Sequence, residues 1–572
     1  MSRCKAVWIL VGASLLALLL AACDEGENTP TVTPASTPAT AGPSSSAIPS
    51  SPGAATSPSP GVGAQTVTVD LASTAPLLTI FAGAPFPPPT DQPTGDLRND
   101  IPSLATGDFN DDSIDDLLVG GRFADGPDDS RLDAGEAYVI FGSRDLGGSI
   151  DLARSQQDVI IYGAKPQDQL GYGVLAADIN GDGVDDIVVS APFSEGPEID
   201  YRTDRGEVYV VFGRKDLPKV IDIALGQQDF TVVAAEGFSL LGDFMAGGDI
   251  NGDGITDLVL GAPFAGRVPG SPHGGPRTEL GETYVVLGSR DLSDSVSIPQ
   301  DQEAVRISGP EQWSELGDAV AAGDVNGDGF DDVIAVAEAG DWPDNDRPNV
   351  GIAYIVFGSD GLSKLVDLAK GEQDVTIIGA GADDALGFCV SSGDLNGDKR
   401  DDVLLVAQRA DGTPDRITSG VAYVVLGSSG LGGTIDALRG DQDATVIGPY
   451  AGALLSSCSA GPDVNGDGVG DVLLGTSFAH GPDPSEDLAG AAYIIFGPLQ
   501  PGATMDLASG GASVVYYGAK AGDRLGSAVR AADLNGDGRP EIILVADEVA
   551  GPDGSRPGGG AIYVLGAIAQ AR

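Results

Sequence analysis

A nine-residue acidic pattern, Asp-x-Asn-x-Asp-x-x-x-Asp, returns seven times along this chain, starting at Asp108, Asp178, Asp249, Asp324, Asp394, Asp463 and Asp533, with Glu541 replacing the last Asp of the seventh copy. Consecutive copies stand 69 to 75 residues apart. Such even spacing marks a repeat architecture. Repeat two shows the content of a unit: an apolar run at 158–162, a second at 170–177 before the acidic loop, a third at 186–191 after it, and a fourth at 206–212. Each run is rich in β-branched or aromatic residues and is bounded by Gly, Pro or Asp, as short strands are. Four strands per unit and seven units predict an all-β fold, a seven-bladed β-propeller of four-stranded blades. The last unit ends after 561–566, one strand short, and Leu77 to Gly83 matches 158–163 in type. That segment is therefore expected to supply the outer strand of the final blade, closing the ring and removing an open edge.

Composition narrows the function. The chain has 572 residues, with 84 Asp+Glu against 31 Lys+Arg, a formal charge of -53. An acidic surface disfavours a nucleic-acid partner, because phosphate binding needs a basic face. Hydrophobic residues make up 42%, so the acidity is not that of a disordered tail. Two His and four Cys are too few for a His-rich zinc enzyme or a disulfide scaffold.

The acidic loops have the chemistry of calcium sites. Calcium takes six to eight hard oxygen ligands on a loop able to wrap it. Side chains at positions 1, 3, 5 and 9 and the carbonyl at position 7 give one candidate set per loop. The first three sets are Asp108, Asn110, Asp112, Ile114 and Asp116; Asp178, Asn180, Asp182, Val184 and Asp186; and Asp249, Asn251, Asp253, Ile255 and Asp257. The next two are Asp324, Asn326, Asp328, Phe330 and Asp332, and Asp394, Asn396, Asp398, Arg400 and Asp402. The last two are Asp463, Asn465, Asp467, Val469 and Asp471, and Asp533, Asn535, Asp537, Arg539 and Glu541. Up to seven Ca2+ are expected. Position 6 favours a left-handed conformation and is Gly in five loops, with Ser113 and Lys399 as the departures. An EF-hand is excluded, since its position 12 needs Glu and here holds Val119, Val189, Leu260, Ala335, Leu405, Leu474 or Leu544. Magnesium prefers a smaller octahedral shell and fits less well.

The unit Leu170-Gly171…Asp178-Ile-Asn180-Gly-Asp182-Gly…Asp186-Ile-Val-Val-Ser-Ala191-Pro192 resembles the FG-GAP repeat of integrin α-subunit head domains and of similar bacterial propellers. The resemblance covers roughly residues 66 to 567. It implies calcium in loops between the first and second strands of blades, on the lower face, with ligands and partners on the upper face. Phe-Gly is mostly Leu-Gly here, and repeat six breaks the motif with Leu454-Leu455-Ser456. Integrin heads do not carry calcium in every blade, whereas all seven loops here keep the ligand set.

The ends of the chain predict export. Residues 1–22 read as a signal peptide: Arg3 and Lys5, an apolar run from Ala6 to Leu20, then small residues. Leu20-Ala21-Ala22-Cys23 resembles a bacterial lipobox, which implies a lipoprotein acylated at Cys23; a plain secretory peptide with an incidental Cys is the alternative. Acyl chains anchor without a spanning helix. Residues 23–65 form a Pro/Ser/Thr-rich disordered stalk, 66–567 the propeller and 568–572 a short tail. Cys389 and Cys458 each stand five residues before the first Asp of their own loop, and both a disulfide between neighbouring repeats and two buried thiols are open.

Function then falls to the variable loops. The expected role is a monomeric, non-enzymatic, extracytoplasmic module that binds a protein or glycan as an adhesion module, and touches membrane only through its lipid. Trp342, in a polar loop, is the candidate ligand contact. Neither His273 nor His480 sits in a triad motif, and acidic pairs such as Asp185-Asp186 are explained by the metal loops. Phospholipases that resemble this family keep their chemistry in a separate zinc domain, for which this chain has no room. The alternatives are a lectin or glycan-active enzyme using the upper face, and a purely structural surface scaffold.

Overall fold

The computed structural model describes residues 66–568, apart from 83–102, 196–203, 235–238, 266–279, 293, 299–303, 312–313, 342–346, 484–485, 553, 555 and 557. The signal segment, the stalk with Cys23, the tail beyond 568, His273 and Trp342 lie outside the described residues.

The second strand of every repeat shows why this chain makes a propeller. In Asp116–Gly121, Asp186–Ala191, Asp257–Ala262, Asp332–Ala337, Asp402–Ala407, Val472–Thr476 and Glu541–Ala546, nearly every residue is buried. An unbroken apolar run needs cover on both faces of its sheet. Stacking one blade on the next supplies that cover. Seven apolar clusters result, each drawn from two adjacent blades. Between blades one and two, for example, Leu118, Val139 and Ile161 pack with Ile187, Val189 and Tyr209. Leu170 of the Leu-Gly motif is wholly buried in the same cluster. Its neighbour Gly171 has φ +86°, and a Cβ there would lie 2.4 Å from the Glu136 carbonyl oxygen of blade one. The motif glycine is thus fixed by close approach of two blades.

The structure forms seven sheets of five strands, one more per blade than the sequence predicts. Blade one holds Leu104–Gly107, Asp116–Gly121, Glu136–Ile140 and Val159–Tyr162 in antiparallel order. Val220–Asp222, from the third-to-fourth-strand connection of repeat two, then adds to its edge in parallel. This fifth strand is short and its outward residues are exposed, so its pattern is too weak to read beforehand.

Ring closure follows the expected route with one correction. Leu78–Phe81 pairs antiparallel with Ala561–Leu565 of blade seven, as predicted for that segment. It is the fourth strand and not the outermost, because Gly148–Asp151 pairs parallel to it. Val67–Asp70 performs the equivalent addition on Val514–Tyr517 of blade six. The N-terminal segment therefore serves two blades.

After the fifth strand, the chain turns through a short 3-10 turn whose N-cap is Asp151, Asp222, Asp367, Asp436 or Asp506. Four of these carboxylates also receive an arginine from the loop joining strands two and three. Arg131 meets Asp222 at 2.7 and 2.8 Å, Arg347 meets Asp436 at 2.9 Å, and Arg416 meets Asp506 at 2.6 Å, all bidentate. Arg556 reaches Asp151 at 2.6 Å. The guanidinium holds the Asp222 and Asp506 carboxyls below their ordinary range. These staples fasten the outer edges of blades one, four, five and seven to the next repeat.

Candidate metal centres

Each acidic nonamer is the loop between the first and second strands of its blade, as between Val174–Ala177 and Asp186–Ala191. All seven therefore lie on one face. Strand two runs away from that face, so the loops between strands two and three emerge on the other.

Loop two shows the arrangement. The Asp178 carboxylate accepts from the amides of Asp182 and Gly183, at 3.0 and 2.8 Å. The Asn180 side-chain oxygen accepts from Asp182 N at 2.9 Å, and Asp182 accepts from Val184 N at 3.0 Å. Asp186 accepts from Ile179 N at 3.1 Å, from the Asn180 side-chain amide at 3.1 Å and from Gly213 N at 3.0 Å. The same contacts to position 1 recur in the other loops. The left-handed turn expected at position 6 is present in every loop, including Ser113 at φ +65° and Lys399 at +69°. Position 4 is left-handed as well, Asp111 included, a requirement the sequence reading missed although Gly fills six of those seven places.

The ninth residue is the buried end of each loop. Asp116, Asp186, Asp257, Asp332, Asp402 and Asp471 are 0% exposed and Glu541 is 1% exposed. Burial, reinforced by the carboxylates at positions 1 and 5 (for Asp332, position 5 alone), pushes each of these carboxyls up to about 7. Backbone amides act in the opposite sense and do not win.

Do these residues fit a divalent cation? As placed, no three carboxylates among the described residues converge on one point at metal-binding distance. Loop amides hold the carboxylates, and their like charges repel one another. The donor set is nevertheless that of a hard cation: three carboxylates, one amide oxygen and one carbonyl per loop. Glu541 adds a direct sign, since its Oε2 is buried without a hydrogen-bond partner. A buried polar oxygen is costly to leave without a partner. The residues fit calcium.

The eighth residue of each loop has a role the sequence reading did not assign. Asp185 reaches across the seam to the preceding loop: its carboxylate accepts from Asp108 N at 3.0 Å, and its own N–H donates to Asp108 O at 3.2 Å. Asp331 holds Asp249 in the same way, Asp401 holds Asp324, and Asp115 holds Asp533 across the closure. Thr256 and Gly470 keep only the backbone half, to Asp178 and Asp394. Pro540, without an N–H, stands at this position in loop seven. The doubled Asp-Asp at positions 8 and 9 of four loops was the available signal.

Of the other expected residues, Cys389 and Cys458 are bonded to each other, joining the first strands of blades five and six. His480 stacks on Tyr450, with centroids 4.8 Å apart, and sets Nδ1 3.0 Å from Asp487. On the third strands, Glu136, Glu207 and Glu282 of blades one to three are buried and accept from Tyr138, Tyr209 and Tyr284. Blades four to seven place Ile352, Val421, Ala491 and Ala561 there. No helix among the described residues is long and apolar enough to cross a membrane.

Comparison with known proteins agrees with this geometry. The FG-GAP repeat model matches residues 170–211, 241–286 and 525–565, the first three strands of blades two, three and seven. Phosphatidylinositol-glycan-specific phospholipase D of Bos taurus is 26% identical over 395 residues, 65% of this chain and 42% of that protein. Integrin alpha-PS5 of Drosophila melanogaster is 32% identical over 209 residues, 36% of this chain and 18% of that protein. Integrin alpha pat-2 of Caenorhabditis elegans is 28% identical over 274 residues, 46% of this chain and 20% of that protein. The chain thus spans less than half the length of these relatives. It carries FG-GAP repeats in three places and is homologous to integrin α subunits.

Proposed function

We propose that this seven-bladed FG-GAP propeller is a calcium-binding, lipid-anchored module that works outside the cytoplasm and binds a protein or glycan, in the manner of an adhesion domain. The observation that supports it most is the division of labour between the faces. Seven loops of one design, each ending in a buried carboxylate, occupy one face. The opposite loops keep a short common core, Asp125-Gly126-Pro127-Asp128 in 122–135 and Asp411-Gly412-Thr413-Pro414-Asp415 in 408–420, and differ in length and in most residues around it. Repeat scaffolds vary the face that meets a partner. Cations in the acidic loops would stiffen the ring on which the opposite loops stand, and Cys23 would tether it through the stalk.

Calcium-stripped protein dialysed against calcium is expected to retain up to seven equivalents by elemental analysis and to melt at higher temperature than the stripped form. Zero retained calcium with an unchanged melting temperature would refute the metal assignment. A glycan array and a pull-down with residues 66–568 then distinguish a glycan partner from a protein. We propose a non-enzymatic role, although one relative is named as a phospholipase D. Turnover of a phosphatidylinositol-glycan or polysaccharide substrate by the purified chain would overturn it.

A further inference from the structure

We infer that the acidic loops take up calcium as a linked series, with the eighth residue of each loop as the link, and that the series is interrupted once, between loops six and seven. The inference rests on the calcium reading above but concerns residues that are not ligands in it. Asp108, the first proposed ligand of loop one, is gripped at both its N–H and its carbonyl by Asp185. Asp185 is bonded in sequence to Asp186, the buried ligand that ends loop two. One residue thus joins the opening ligand of one loop to the closing ligand of the next.

Two features make this a coupling and not only a fastening. Drawing separated carboxylates toward one cation moves position 9, and with it the adjacent peptide at position 8. That peptide is hydrogen-bonded to position 1 of the preceding loop, so each site biases an element that the other also uses. The link also varies in strength around the ring in a way the structure defines. It is two-sided at the seams 7–1, 1–2, 3–4 and 4–5, one-sided where Thr256 and Gly470 offer only their amides, and without its amide where Pro540 stands. The sites therefore form an open series that begins at loop seven and ends at loop six.

The test uses the full chain stripped of calcium and titrated with calcium chloride. Uptake is followed by calorimetry, and each loop separately by hydrogen exchange of its own peptide. The wild-type curve is expected to be steeper than independent sites allow. Asp185→Ala should raise the calcium midpoint for protection of both loop one and loop two at least fivefold, and leave loop six unchanged. Asp185→Asn, which retains a side-chain acceptor, should restore most of the effect. Thr256→Asp, adding a carboxylate facing Asp178 N, should draw the midpoints of loops two and three together, and it serves if the alanine variant does not fold. Stoichiometric uptake with an unmoved loop-one midpoint in Asp185→Ala would overturn the linkage while leaving calcium binding intact. No uptake by the wild type would overturn both.

Discussion

The seam between blades one and two and the seam between blades six and seven come from the same repeat, yet they are tied in different places. At the first, Asp185 clasps Asp108 on the loop face and Arg131 staples Asp222 at the outer edge. At the second, Pro540 removes the clasp amide and the 477–490 loop contains no arginine. There the tie moves to the first strands, where Arg530, also bonded within its own strand to Val529 O at 2.8 Å, donates across the seam to the Cys458 carbonyl oxygen at 3.4 Å. The neighbouring seam, whose clasp is reduced to the Gly470 amide, carries the Cys389–Cys458 disulfide. A propeller needs every seam closed but does not prescribe where.

The largest expected effect is on what both seams share, the buried ninth carboxylate. In stripped protein these groups keep their protons to about pH 7, whereas the unfolded chain releases them near 3.8, or 4.5 for Glu541. Unfolding then releases protons between those values, so stability falls as pH rises from about 4 to 7. Seven groups shift in the same direction, so their combined pH dependence is expected to exceed the effect of any single tie. The urea midpoint of stripped protein should fall across that window, and calcium should flatten or reverse the slope. A midpoint that rises with pH in the stripped protein would contradict it.

Next in size is the disulfide. It closes a loop of 69 residues, and replacing both cysteines by alanine should cost about 2–5 kcal/mol in denaturant unfolding. A loss under about 1 kcal/mol would mean that the backbone clasp at Gly470 suffices for its seam. The smallest of the three concerns the staple that the first seam has and the sixth lacks. Arg131→Ala should cost about 1–3 kcal/mol, the range of a charge-assisted pair in a partly buried site, and should speed exchange in 220–225 before other outer strands. Uniform loss of protection would show that the staple is not local.

What the sequence made legible were features written in repeated residue types. The acidic nonamers, the Leu-Gly motifs and the run Asp186–Ala191 each announce a strand or a loop, and their spacing counts the blades. The fifth strand was hidden because Val220–Asp222 has three residues and its partner, Val159–Tyr162, belongs to an earlier repeat. Parallel addition across repeats leaves no local pattern. The disulfide was open for a similar reason: position in consecutive repeats suggests nearness, but only the fold sets the two Cα atoms 6.0 Å apart. Asp185 was visible as the first half of a recurring Asp-Asp, which marks the position but does not reveal that its carboxylate serves the neighbouring acidic loop.

The closure by Val67–Asp70 and Leu78–Phe81 sets an order of events in time. These strands leave the ribosome first, but their partners, Val514–Tyr517 and Ala561–Leu565, are made last. The entropy of joining such distant segments grows only as about (3/2)RT ln n, a modest thermodynamic burden. The kinetic one is heavier, because an unpaired β segment must wait through nearly the whole of synthesis with its backbone exposed. Blade seven exists in no fragment that lacks either end of the propeller, so a nascent or clipped chain presents an open edge until both ends meet.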